Sequence, residues 1–139
     1  MANQNHVNLL KKSVQEWNAW REQNPSITPD LSNADLTGAY LIGPEFNTGV
    51  NLNNANLTGA YLTGAYLGCA DLTGAYLRGA GFDHHTNLNN ANLGGAYLGE
   101  ANLQIADLTG AYLGCANLQR AHLQSTDLTG AYLIGAIGI

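Results

Sequence analysis

Ala55-Asn56-Leu57-Thr58-Gly59-Ala60-Tyr61-Leu62-Thr63-Gly64-Ala65-Tyr66-Leu67-Gly68-Cys69-Ala70-Asp71-Leu72 places leucine at every fifth residue and alanine two residues before each leucine. The register extends in both directions. Upstream it runs Leu31, Leu36, Leu41 and Phe46, and one extra residue then precedes Leu52. Downstream it reaches Leu77 and Phe82, takes a second extra residue, and continues from Leu88 to Leu133 without a break. Of these 21 centres 19 are Leu and two are Phe, and Ala precedes 16 of them, the exceptions being Pro29, Pro44, Val50, Thr86 and Thr126. A period of five fits neither the 3.6 of a helix nor the 2 of a strand; self-similarity at a fixed period marks a solenoid.

Residues two apart on an extended segment point the same way, so each Ala and its Leu enter one interior together. Leu57, Leu62, Leu67, Leu72, Leu93, Leu98, Leu103, Leu108, Leu113 and Leu118 are the expected core, and the other three positions of each repeat face water. With five residues to a side the chain must turn at every repeat, and Gly38, Gly59, Gly64, Gly74, Gly110 and Gly130 stand where such turns relieve backbone strain. Stacked coils then bring backbone groups to strand-pair spacing, and like side chains lie one above another. Residues 35–70 also align with 71–106 at 23 of 36 positions, and Asp-Leu-Thr-Gly-Ala-Tyr-Leu recurs at Asp35, Asp71 and Asp107. Each extra residue therefore follows a Phe centre, in Phe46-Asn47-Thr48-Gly49-Val50 and in Phe82-Asp83-His84-His85-Thr86. A one-residue bulge is predicted at each, on adjacent sides of the rod and about one coil apart.

The 139 residues suit a single domain, and 11% charged residues with a net charge of -5 exclude a charge-rich disordered tail or a coiled coil. Five Lys and Arg in all leave no basic footprint, so direct nucleic-acid binding is not expected. Neither a membrane span nor a secretory leader is evident, which reads as a cytoplasmic protein.

The pattern Ala-(Asp/Asn)-Leu-x-x, as in Ala34-Asp35-Leu36-Thr37-Gly38, Ala55-Asn56-Leu57-Thr58-Gly59, Ala101-Asn102-Leu103-Gln104-Ile105 and Ala116-Asn117-Leu118-Gln119-Arg120, resembles the pentapeptide-repeat family. The resemblance implies an all-β solenoid, a right-handed quadrilateral β-helix with four repeats per coil. That gives about five coils and a rod of roughly 25 Å over residues 29–139. Residues 1–28 lack the period and form the other segment, an N-terminal cap and linker. An amphipathic helix is predicted from Val7 to Gln23, with Leu10, Val14, Trp17 and Trp20 on its apolar face and Asn24-Pro25 ending it. Such a helix, like the cap of some family members that this segment resembles, would cover the first coil's apolar axis and unpaired edge. The chain closes on Leu133-Ile134-Gly135-Ala136-Ile137-Gly138-Ile139. Two readings stand: Leu133, Ile134, Ile137 and Ile139 bury in a tip-to-tip homodimer, as in dimeric family members, or Ile137 and Ile139 fold back over Leu133.

All seven Tyr precede a centre and face outward. Stacking at four repeats per coil pairs Tyr40 with Tyr61, Tyr76 with Tyr97, and Tyr112 with Tyr132. Tyr76, Tyr97, Tyr112 and Tyr132 are candidate interaction residues, since Tyr is frequent at interface hot spots, although β propensity and stacking alone also account for them. The same slot holds Glu45, Asp107 and Asp127, predicted to share one face. These are candidate contacts for a topoisomerase, because some relatives are thought to mimic duplex DNA. From residue 29 onward the net charge is -6, whereas duplex DNA carries about 14 charges over ~25 Å. Hydrogen bonding to a neighbouring turn is the simpler role for these carboxylates. Cys69 and Cys115 fall too far apart for a disulfide. Asp83-His84-His85 cannot complete a metal site alone, and neither a cofactor motif nor a nucleophile-base pair is spaced for catalysis. The sequence therefore reads as a non-enzymatic scaffold for a protein partner, with a DNA-mimic inhibitor or protector of gyrase, a type II topoisomerase, as the alternative.

Overall fold

A computed structural model describes residues 1–46, 49–82 and 86–139. Its repeats are joined by parallel β-bridges between residues 20 apart, or 21 apart where an extra residue intervenes, so four repeats complete a coil. Four faces result. Along face A the outward residues are Asp30, Asn51, Asp71, Asn92, Tyr112 and Tyr132; along face B, Asp35, Asn56, Tyr76, Tyr97, Asn117 and Ile137. Face C carries Tyr40, Tyr61, Gly81, Asn102 and His122, and face D carries Glu45, Tyr66, Asn87, Asp107 and Asp127.

The centres from Leu31 to Leu118 are all buried, with at most 2% exposure, and the Ala slot from Ala55 to Ala116 is as dry. Where Thr replaces Ala its hydroxyl is satisfied by the coil below: Thr86 Oγ1 donates to the Leu62 carbonyl at 3.1 Å, and Thr126 Oγ1 to that of Leu103 at 2.7 Å. The burial does not run to the end. Leu123, Leu128 and Leu133 are half-buried, because no further coil lies on them.

The corners are tight turns in which the carbonyl of the centre accepts from the N–H three residues on, as Leu98 does from Ala101 at 3.0 Å; the corner after Leu41 lacks this bond because Pro44 has no N–H. The second turn residue has positive φ at every described corner, as a type II turn requires. Glycine or asparagine fills many of these positions, but Ile105 sits there at φ 62 with a β-branched side chain.

The predicted helix Val7–Gln23 is instead two helices, α1 over Gln4–Lys12 and α2 over Val14–Gln23. Ser13 breaks it. Its backbone is extended at φ -165, its N–H closes α1 on the Leu9 carbonyl, and its Oγ accepts from Glu16 N–H to open α2. The helices lie on the first coil. Leu10 and Trp17 are buried, Val14 and Trp20 partly so, and the Trp17 ring meets Phe46 edge-on at 5.9 Å. Polar contacts complete the seat: Trp17 Nε1 donates to the Glu45 carbonyl, Asn18 bonds Gly43 and Glu45 backbone, and Asn3 N–H donates to Asp30. Arg21 is buried despite its charge and donates to the Ile27 carbonyl at 3.0 Å.

The extra residues follow Phe46 between faces D and A, and Phe82 between faces C and D. These are adjacent corners, but seven sides separate them, so they lie nearly two coils apart rather than one. The predicted bulges themselves fall on 47–48 and 83–85, outside the described residues. At the far end the fold-back reading fails. Ile137 bridges Asn117 in parallel and its N–H donates to Ala116, so the tail climbs onto face B instead of turning over Leu133.

Two predictions follow from these contacts. Replacing Ile105 by Gly removes about 1–2 kcal/mol of left-handed strain and costs about 0.5–1 kcal/mol in unfolded-chain entropy. Ile105→Gly should therefore raise stability by about 0.5–1 kcal/mol in urea melts, where most core or turn changes lower it. At the cap, His6 Nδ1 accepts the Asp30 N–H at 3.2 Å, so that nitrogen must be unprotonated. Burial lowers the His6 pKa from 6.5, with the Asp30 carboxylate opposing and Arg21 assisting, while the ring also meets Trp20. The unfolded chain thus takes the proton first as pH falls through about 6.5, and stability drops across that window. His6→Gln should show a smaller melting-temperature difference between pH 7.5 and 5.5 than the native chain.

Candidate interaction faces

The outward slot is occupied mainly by Asp, Asn and Tyr, and the two kinds of side chain do different work. Asp and Asn turn back on their own chain. In each, Oδ1 accepts the backbone N–H two residues on: Asp71 from Thr73, Asn102 from Gln104 and Asn117 from Gln119, at 3.0–3.1 Å. For Asp30, Asp35 and Asp71 the hydroxyl of that second residue, Ser32, Thr37 or Thr73, joins in at 2.7 Å. Hydroxyl and backbone donors to the ionised carboxylate hold Asp30, Asp35 and Asp127 below the ordinary aspartate pKa.

The tyrosines project outward. Tyr40 and Tyr61 stack at 4.7 Å on face C, Tyr76 and Tyr97 at 4.9 Å on face B, and Tyr112 and Tyr132 at 4.7 Å on face A, each pair within 10° of parallel. Tyr112 leans over the glycines beside it: a Cβ at Gly114 would meet its hydroxyl, and one at Gly94 its ring edge.

Face D does carry Glu45, Asp107 and Asp127, but only the last two are neighbours. Tyr66 and Asn87 separate Glu45 from them, and the Glu45 backbone serves the cap contacts. Asp127 is bound by Thr129 and also by the Thr109 hydroxyl one coil below, while Asn89 donates to Asp107 at 3.3 Å. Cys69 and Cys115 are exposed free thiols at corners two coils and one side apart. Among the described residues no group of three or more His, Cys, Asp or Glu is placed to hold a metal, and Asp83-His84-His85 lies outside them. Among the described residues no helix is long and apolar enough to cross a membrane.

One cluster escaped the sequence reading. Arg78, Glu100 and Arg120 come together on face B, with guanidinium to carboxylate distances of 3.1 and 3.8 Å. They lie 22 and 20 residues apart, and the coil register was the signal that could have joined them. An open groove beside them is lined by Tyr97, Gly99, Asn117 and Gln119.

Comparison with known proteins places these features. A family model described as pentapeptide repeats matches eight copies, over residues 48–82, 84–114 and 101–137. Among solved structures, HetL, a pentapeptide-repeat protein involved in heterocyst differentiation regulation in the cyanobacterium Nostoc, is 35% identical over 78% of this chain and 61% of its own, with a TM-score of 0.49. A pentapeptide-repeat protein of the Arabidopsis thaliana thylakoid lumen is 34% identical over 82% of this chain and 68% of its own, with a TM-score of 0.33. A trypsin-treated variant of QnrB1, a plasmid-mediated fluoroquinolone resistance protein, is 26% identical over 78% and 60%, with a TM-score of 0.46. The chain thus spans about three fifths of the length of HetL and of that QnrB1 form. No curated protein sequence matches it.

If the outward Asn and Asp serve the turn, geometry rather than charge is what the slot selects. Asn102→Ala should cost about 0.5–1.5 kcal/mol in denaturant melts through the lost bond to Gln104 N–H. Asn102→Asp, which keeps the acceptor, should stay within about 0.5 kcal/mol of the native chain at pH 7.

Proposed function

The chain belongs to the pentapeptide-repeat family, and from that premise we propose that it is a non-enzymatic interaction protein, a rigid solenoid that holds polar and tyrosine-bearing faces toward a protein partner. The observation that carries this reading is the division of labour across the repeat. Ala and Leu are spent on a filled interior, Asn and Asp on their own turns, and the stacked tyrosines at 42–72% exposure are left to face outward. Pre-stacked rings lose little freedom on docking, which favours them as anchors. The right-handed quadrilateral form, with α1 and α2 acting as its cap, belongs to the same reading.

Partnership with a second copy is a further part of it. Leu133 is half-buried and Ile134, Ile137 and Ile139 are 70%, 47% and 68% exposed, on a last coil that covers none of them. Tip-to-tip association would remove this surface from water. A dimeric mass by light scattering at tens of micromolar, falling to a monomeric one in Ile134→Lys, is the result this predicts; a monomeric native chain refutes it.

The DNA-mimic alternative asks the carboxylates to act as phosphates. Against that, Asp and Asn alternate along face A at Asp30, Asn51, Asp71 and Asn92, all in one geometry, so half of the slots carry no charge.

The test is affinity capture with the full chain and with three double variants, Tyr40→Ser/Tyr61→Ser, Tyr76→Ser/Tyr97→Ser and Tyr112→Ser/Tyr132→Ser. A partner retained by the native chain and lost with one pair supports the reading, and absence of any variant-sensitive partner refutes it. Inhibition of gyrase supercoiling that is lost in Asp107→Asn/Asp127→Asn would transfer the function to the alternative.

A further inference from the structure

We propose that face B, at the groove crossed by Arg78, Glu100 and Arg120, receives an acidic segment of a partner protein. The inference rests on the interaction reading above and adds to it the face and the chemistry.

Charge placement is the first support. From residue 29 onward the chain has eight Asp or Glu and only two cations, Arg78 and Arg120. Although 42 residues apart in sequence, both come to face B, two coils apart, and both approach one carboxylate, Glu100. Two guanidiniums on one carboxylate leave one positive charge over on a solenoid that is negative elsewhere. Arg78 makes a hydrogen-bonded pair at 3.1 Å; Arg120, with its side chain 85% exposed, stands at 3.8 Å from the same carboxylate. Such a fork is suited to a carboxylate taken in two-point fashion.

Backbone conformation is the second. The corners of face B run Gly38, Gly59, Gly79, Glu100 and Arg120, all at positive φ between 60 and 66. The first three are glycines that adopt it without cost, and the charged pair adopts it against the preference of any residue that carries a Cβ. The same corner conformation is adopted by Ile105, Cys115 and Ser125, so its contribution here is placement: it fixes where the Glu100 and Arg120 side chains leave the rod.

Shape is the third. Gly99 occupies the slot that carries Arg78 one coil below and Gln119 one coil above, which leaves room between the arginines, and Tyr97, stacked on Tyr76, walls the groove. Both guanidiniums lie on the same Glu100 oxygen, at 3.1 and 3.8 Å, so their nearest nitrogens stand no more than about 7 Å apart. The fitting ligand is a short segment with carboxylates at that spacing. A long polyanion such as a nucleic acid would also meet the negative faces beside it and be repelled.

The experiment is a titration of the isotope-labelled full chain with acetyl-hexaglutamate-amide at low salt, followed by amide chemical shifts. The proposal expects saturable shifts centred on Tyr97, Gly99, Gln119 and Arg120, binding at least tenfold weaker in Arg78→Gln/Arg120→Gln, and binding several-fold tighter in Glu100→Gln, which removes the competing carboxylate. All three side chains are exposed, and spectral dispersion reports folding; should the double variant unfold, Glu100→Gln alone decides, with unchanged or weaker binding overturning the proposal. Absence of saturation at millimolar peptide, shifts centred on Lys11 and Lys12 instead, or equal binding of pyrophosphate or a single-stranded oligonucleotide also overturns it. A partner captured through the tyrosines of face A or C would sink this inference and leave the interaction reading intact.

Discussion

Each coil holds the next through one repeated exchange. The N–H of a centre donates to the carbonyl of the outward residue one coil on, as Leu98 does to Asn117 at 2.7 Å, and the N–H of that outward residue donates back to the Ala carbonyl below, as Asn117 does to Ala96 at 2.9 Å. These bonds are made by backbone and would form in any register. Leucine at every fifth residue selects the register, because a slip of one residue would carry a polar neighbour into the axis and a leucine into water. Extra residues are accepted at corners because the ladder is satisfied again once the next side begins, and the change of spacing from 20 to 21 records their passage.

The exchange dictates what can stand on the outside. Side chains in one slot lie a strand spacing apart, so rings gain by stacking and ionised carboxylates lose by it. Asn interleaved with Asp keeps the turn bond and dilutes the charge. Where two carboxylates do meet, at Asp107 and Asp127, a second donor from the adjacent coil is present for each: Asn89 for the first, Thr109 for the second. The acidity of the chain is thus a by-product of turn chemistry to a larger degree than a field designed for a ligand.

The core was legible in the sequence because it depends only on period and register, while the four faces and the tyrosine pairs needed in addition the four repeats per coil that the family resemblance implied. The helix break was legible too and went unread: Ser13-Val14-Gln15-Glu16 has the serine and glutamate of a capping box, but the apolar stripe on either side outweighed it. The burial of Arg21 has no signal in residue type, because charge says nothing about a carbonyl, here that of Ile27, waiting inside. The arginine cluster needed the register carried through Phe82 and its extra residue before 78, 100 and 120 fell into line. Positive φ at Ile105, Glu100 and Arg120 is not written in residue type at all. It is imposed by the corner on whichever residue arrives there.

The two ends of the rod differ in a way that bears on where binding can act. Helices α1 and α2 seal the first coil with Trp17, Leu10 and several backbone bonds, whereas Leu123, Leu128 and Leu133 in the last coils are half-buried. In a chain of coils that contact only their neighbours, opening costs least at the end with the weakest burial. Non-glycine, non-asparagine residues at positive φ also gather toward that end, at Glu100, Ile105, Cys115, Arg120 and Ser125, with Cys69 the exception below. Strain and thin burial therefore coincide over the coils that carry Arg120 and the groove. A ligand bridging Arg78 in a well-buried coil to Arg120 near the loose end would tie the second to the first, so affinity on face B and order at the tip are linked through the same ladder.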